Sequence, residues 1–157
     1  MREIGIRAIK QLKKGDYGAF KKVVDHYHQA VYHICYMILG DNKNAEELAK
    51  DTFLHVFNDR DNCQAIDKKF SLWLFQQTID LAQKRFGMNW CTIFSEFPEE
   101  DLKILFMHVS LKERLALTLR SRNQLSVDEI SKVLETPNTE IVSYIWQGRE
   151  KIRKLMR

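Results

Sequence analysis

Apolar residues recur three and four positions apart along nearly the whole chain, and that single period restricts the fold to packed helices. Phe20, Val23, Val24, Tyr27, Val31, Ile34 and Ile38 form one stripe, which Gly40 is placed to close. Ala45, Leu48, Ala49, Thr52, Phe53, Val56 and Phe57 form a second, with Asn44 or Asp41 available as cap and a charged opposite face. A third runs from about Asp67 to Phe86 and turns Phe70, Trp73, Leu74, Gln77, Leu81 and Ala82 inward. A short helix near Ile4 to Lys14 completes an N-terminal bundle. With only two prolines and six glycines as punctuation, and no sustained alternation of β-branched residues, strands have no foothold.

The pattern breaks after Gly87. Ser95, Glu96, Pro98, Glu99, Glu100 and Asp101 make an acidic, polar shift of the kind found at domain boundaries. Trp90, Phe94 and Phe97 in the same stretch imply that it packs, and that the two halves dock through it. Four further helices are expected, over Leu102–Val109, Lys112–Arg120, Val127–Leu134 and Asn138–Leu155. Ser126-Val127-Asp128-Glu129 is a capping box, in which serine and glutamate satisfy each other's end of a helix start. Thr136-Pro137 reads as a capping threonine with proline at the first helical position. A short helix, a tight turn and a longer basic helix make a helix-turn-helix, although Glu135 stands in the turn where glycine is frequent. The expectation is an all-α chain of two small helical domains, residues 1–86 and 102–157, joined by a linker at 87–101.

The net charge of +4 divides unevenly. Val23–Asp67 carries 3 basic and 8 acidic residues, net −5, while Glu135–Arg157 carries 5 and 3, net +2. An acidic block beside modestly basic segments suits a chain with two kinds of partner. The three cysteines, Cys35, Cys63 and Cys91, form no C-x-x-C pair, so a reducing cytoplasm is expected and a disulfide framework is not. Neither an export signal nor a membrane span is expected, since no stretch approaches the required apolar run. No P-loop, H-E-x-x-H, G-x-G-x-x-G or G-x-S-x-G occurs, so neither enzyme chemistry nor a cofactor is expected. His26, His28 and His33 lack a completing carboxylate or thiolate by spacing, so no metal site is assigned.

Glu47 and Asp51 stand four apart on one helical face, where like charges oppose each other at a cost of a few tenths of a kcal/mol. This favours a basic partner outside the chain. Gly15-Asp16, Ala19-Phe20 and Tyr27, then the run Ala45 to Phe53, then Phe70 and Trp73-Leu74, and finally Leu125 to Ile130 together resemble the extracytoplasmic-function sigma factors of bacterial RNA polymerase. The likeness spans nearly the whole chain in order.

That resemblance implies a first domain (sigma region 2-like) that docks on the polymerase core and reads the minus-ten element, and a second (sigma region 4-like) that reads the minus-thirty-five element. Glu46, Glu47, Lys50, Asp51 and Phe53 would bind the coiled coil of the largest polymerase subunit, with Lys50 replacing a customary glutamine. Lys68, Lys69 and Lys84, with Gln76, Gln77 and Asp80, would lie along promoter DNA, although Asp80 has the wrong sign for phosphate. Ser126, Thr139, Glu140, Ser143, Tyr144, Gln147 and Arg149 would form the second DNA surface, where two customary basic contacts are absent. Trp73 is assigned to the core and Trp146 to packing. An anti-sigma protein wedged between the domains is a further partner the resemblance implies. The rival reading is a sigma-like adaptor with degenerate DNA contacts, acting through protein–protein binding.

Overall fold

The computed structural model describes residues 3–66, 69–86 and 105–156, and among them every long element is an α-helix. The first group comprises α1 (Ile6–Lys13), α2 (Tyr17–Leu39), α3 (Asn42–Asn58) and α4 (Phe70–Phe86). The second comprises a single helical turn at 105–108, then α5 (Leu111–Ser121), α6 (Val127–Leu134) and α7 (Asn138–Leu155). The expected all-α class holds. The proposed linker and its aromatics, Trp90, Phe94 and Phe97, lie outside the described residues, as do Asp67, Lys68 and the first residues of the helix expected from Leu102.

The N-terminal stripes form the core as their period requires. Val23, Tyr27, Val31, Ile34 and Ile38 of α2 meet Ala45, Leu48, Ala49, Phe53 and Val56 of α3 and the buried side of α4. Asp16 caps α2 by accepting from the Ala19 N–H at 3.1 Å, and Gly40 ends it at φ 70°, a left-handed position that suits a residue without Cβ. Asp41 then caps α3, accepting from Asn44 N–H at 2.8 Å. The start of α4 is satisfied from far away. One Glu3 carboxylate oxygen accepts from the Ser71 N–H at 3.1 Å, and the other accepts from the Tyr27 hydroxyl at 3.2 Å. Trp73 is in the core as expected, but Leu72 and Phe75 are buried too. The stripe underestimates α4 because α2, α3 and α6 all pack on it.

The helix starts of the second group follow from local chemistry. Ser126 and Glu129 form the expected capping box, and Ser110 and Glu113 form another at the head of α5, written in the same S-x-x-E spacing. The cap of α7 differs from expectation. Pro137 itself occupies the cap position, and the Thr136 hydroxyl donates to the Leu134 carbonyl at 3.0 Å instead of capping. Glu135 makes the turn at φ 51°, ψ 47°, in the left-handed region. Gly148 of α7 lies against α5 so closely that a Cβ would stand 2.7 Å from a Leu117 methyl.

The two groups pack directly on each other, α2 against α5 and α4 against α6. Arg114 of α5 is the pin. Its guanidinium is buried, donates to the Met37 carbonyl in the last turn of α2 at 2.9 Å and to the Val109 carbonyl at 2.6 Å, and lies over the Phe106 ring at 4.1 Å. A cation at a helix C-terminus also meets the negative end of the helix dipole. Nothing in the periodicity marks Arg114, which looks like one more surface base until the neighbouring helix is in place.

Candidate nucleic-acid interface

The acidic face of α3 is open where the sequence places it. Glu46, Glu47 and Lys50 are exposed. Asp51 is not free for an outside partner, because Arg85 of α4 pairs with it at 2.6 Å. The like-charge conflict between Glu47 and Asp51 is therefore relieved inside the chain, which corrects the argument that it calls for an external cation. Phe53, expected at the docking surface, is 3% exposed and belongs to the core. It reaches the surface only in a shallow groove of about 260 Å³ shared with Phe20, Val24, His28, Lys50 and Leu54. Leu54, exposed at 56%, is the apolar group this face does display, and its position off the stripe was the signal.

Along α4 the candidate DNA residues look across a seam at α6. The Lys69 ammonium lies 2.6 Å from a Glu129 oxygen. The Gln76 amide donates to the Lys132 carbonyl at 3.4 Å and to the Glu135 carboxylate at 3.3 Å. Gln77 and Asp80 are half-buried, while Lys84 is exposed in the last turn. Burial, followed by the facing Glu135, raises the Asp80 carboxyl above its ordinary value, and nearby Lys84 offsets part of this. Asp80, Ile79, Lys112, Glu135 and Tyr144 line a cleft of about 450 Å³ between the groups. Glu129 moves the other way: burial alone would raise its carboxyl, but the Lys69 and Ser126 hydrogen bonds outweigh burial and hold it low.

On the helix-turn-helix, Thr139, Glu140, Ser143, Gln147 and Arg149 are exposed, as a DNA surface requires. Ser126 is exposed but its hydroxyl accepts from the Glu129 N–H at 3.1 Å, so its first task is the cap. Tyr144 is a correction. It packs against the core, with the Lys112 ammonium 5.9 Å from its ring, and does not stand on the outward face. Trp146 corrects in the opposite sense: expected to pack, it is 66% exposed. Lys151 is committed to Glu113 at 2.7 Å. Glu113 is held low although burial opposes it, because Lys151 and Ser110 hydrogen-bond the charged form.

His33 of α2 has a ring nitrogen 3.2 Å from Arg122, the residue that follows α5, and burial together with that guanidinium lowers its affinity for a proton. Cys35 is buried and its thiol is pushed up to about 12, which makes it a small apolar group rather than a nucleophile. Among the described residues no cluster of three or more His, Cys, Asp or Glu is arranged to hold a metal ion, and no helix is long and apolar enough to cross a membrane.

Comparison with known proteins places this arrangement. Residues 23–90 match the model of Sigma-70 region 2. The ECF RNA polymerase sigma factor SigW of Bacillus subtilis (strain 168) is 29% identical, aligned over 96% of this chain and 96% of its own. The RNA polymerase sigma-H factor of Pseudomonas aeruginosa is 23% identical over 94% and 91% of the two chains. Among solved structures, CnrH in complex with the cytosolic domain of CnrY superposes with a TM-score of 0.74 at 18% identity, over 95% of this chain and 94% of that one. The sigma factor RpoE, bound to the anti-sigma factor NepR from Bartonella quintana, gives 0.70 at 17% identity over 87% and 96%. At such identities the structural likeness establishes the fold alone.

Proposed function

We propose that the chain works as an extracytoplasmic-function sigma factor of bacterial RNA polymerase, a transcription initiation factor that directs the core enzyme to specific promoters, and that its two halves divide that work. Residues 1–86 dock on the core and engage the minus-ten element, residues 102–157 read the minus-thirty-five element, and 87–101 link them. Docking uses the open side of α3: Glu46, Glu47 and Lys50 around an apolar groove displaying Leu54, a surface suited to a partner that is both basic and apolar. That arrangement is the observation that carries the reading. Asp51 and Phe53 act indirectly, one holding Arg85 and the other supporting the groove from below. The coiled coil of the largest polymerase subunit is the docking partner this family reading supplies.

DNA engagement is positioning and strand capture, with phosphate contacts for register and base contacts for sequence, and the chain makes and breaks no covalent bond. Lys69 and Gln76 are tied to α6, so engaging the minus-ten element requires the seam between α4 and α6 to open. An anti-sigma protein, the kind of partner seen in the RpoE structure, would regulate the chain by acting on that same seam. The reading places the protein in the cytoplasm, where its polymerase and promoter are. It is tested by co-purification with core polymerase and by run-off transcription from genomic fragments. Retention on the core with promoter-dependent product is expected, and Glu47→Lys should weaken retention. Core binding without any promoter-dependent product would favour the adaptor.

A further inference from the structure

Helix α7 displays an outward face that carries a single charge, Glu140, over its first three turns. Ile141, Ile145 and Gly148 point into the protein. At about 100° per residue, Thr139, Ser143 and Trp146 fall roughly opposite that stripe, with Val142 and Gln147 beside them. All five are exposed, Val142 at 54% and Trp146 at 66%. Glu140 lies on the Gln147 side of this face and Arg149 at the margin beyond Val142, and Glu150 and Arg153, one turn further, pair with each other at 2.7 Å. Nothing in the packing of α7 on α5 and α6 requires an indole and an isopropyl group on this face.

We infer that this face selects A·T base pairs, setting thymine methyl groups against Val142 and Trp146 and an adenine against Gln147. The inference rests on the promoter-binding reading above and names what that surface reads. In the major groove guanine offers two acceptors, which are met above all by arginine or lysine, and neither stands on the outward face within the first three turns. Thymine offers a methyl group and one acceptor, matched by an apolar side chain and by the indole N–H. Adenine offers an acceptor and a donor side by side, which a glutamine amide complements with two hydrogen bonds. The hydroxyls of Thr139 and Ser143 either donate or accept, so they fit both strands of an A·T pair. Arg149 and Lys154, exposed further along α7, supply phosphate contacts that fix register without adding sequence information.

The test uses holoenzyme assembled from core polymerase and the full chain, selecting promoters from duplexes randomised across the minus-thirty-five window. Enrichment of A·T pairs there is expected. Replacing each selected thymine by uracil deletes only the methyl group, and at two or more positions affinity should fall about fourfold per methyl. Val142→Ala should abolish the thymine-over-uracil preference at one of those positions, and Trp146→Ala at another. Selected guanines, or thymine and uracil bound equally, overturn the inference. So does selection confined to the minus-ten window, an outcome that leaves promoter function standing and shows α7 to face some other partner. Absence of any promoter-dependent product overturns the inference and the promoter reading together.

Discussion

Lys69, just before α4, and Gln76 and Asp80 on it face α6 and the turn after it across the seam, whereas Thr139, Val142, Ser143 and Trp146 of α7 stand out in solvent. The two surfaces proposed for DNA thus differ in chemistry as well as exposure. The α4 surface is polar, and its Lys69 and Gln76 are already matched within the chain. Phosphate binding gains its free energy by releasing counterions from cationic contacts, and Lys69 offers such a contact only after leaving Glu129. The α7 surface is mostly uncharged, with Glu140 its one charge over the first three turns, and it stays open in the packed state. Covered and charged against open and mostly uncharged, the pair implies, under the proposed DNA reading, that affinity and sequence reading are separated: the first waits on the seam, the second does not.

Breaking the seam at its pin should have the largest effect. Arg114 donates to Met37 and Val109 carbonyls from a buried position, and a hydrogen bond from a charged donor is worth about 1.5–3 kcal/mol. Arg114→Leu is expected to cost about 3 kcal/mol in urea unfolding and to expand the chain in small-angle scattering. Unchanged dimensions would show that the halves are held by something else, and that the contrast between a covered α4 and an open α7 does not depend on this residue.

Arg114 also shows where reading the sequence stops. The period of Val23 to Ile38 and of Ala45 to Phe57 yields the helices and their inward faces, because burial of one stripe is a local property of spacing. The capping box at Ser126 was legible for the same reason, as was the cap of α3, where Asp41 was one of two candidates. Residues whose roles depend on another helix were not. Asp51 looked unpaired because Arg85 is thirty-four positions away. Tyr144 and Trp146 were exchanged because two positions on a helix differ by about 200°, and the stripe of α7, interrupted by Gly148, fixes its phase weakly.

Next in size is the turn between α6 and α7. Glu135 holds left-handed backbone at φ 51°, where a Cβ costs about 1 kcal/mol, so Glu135→Gly should stabilise the chain by about that much in thermal unfolding. Glu135→Ala removes the carboxylate but keeps the Cβ, and should gain nothing from backbone relief. If alanine stabilises as much as glycine, the gain comes from charge across the seam and not from the turn.

A smaller effect is expected at Lys69 and Glu129. The pair is partly exposed, which limits it to about 0.5–1 kcal/mol. Glu129→Gln is the informative change, because glutamine preserves the capping box of α6 while removing the charge that Lys69 meets. Combined with Lys69→Ala in a double-mutant cycle, it should give a coupling of that order, and additive effects would mean that the pair does not hold the seam. Duplex binding should gain from Glu129→Gln, since Lys69 is then released for phosphate.

The smallest effect has an opposite dependence on pH, which makes it separable. Glu129 is held below the usual carboxylate range, so the stabilisation from its pair with Lys69 is present above the unfolded value and is lost as pH falls through the lower, folded one. Asp80 is raised by burial and then by Glu135, so the packed state takes up a proton at Asp80 before the unfolded chain does, and falling pH favours packing. Mild acid, approaching the raised Asp80 value, should therefore tighten the seam slightly before stronger acid loosens it through Glu129. Asp80→Asn removes both the charge and its titration: packing at neutral pH should strengthen by a few tenths of a kcal/mol, in keeping with a partly exposed pair of like charges, and the tightening in mild acid should disappear. Hydrogen exchange in α6 followed across that pH range reads both effects. If Asp80→Asn leaves the mildly acid maximum in place, Asp80 and Glu135 do not oppose each other across the seam, and α4 is covered without electrostatic tension.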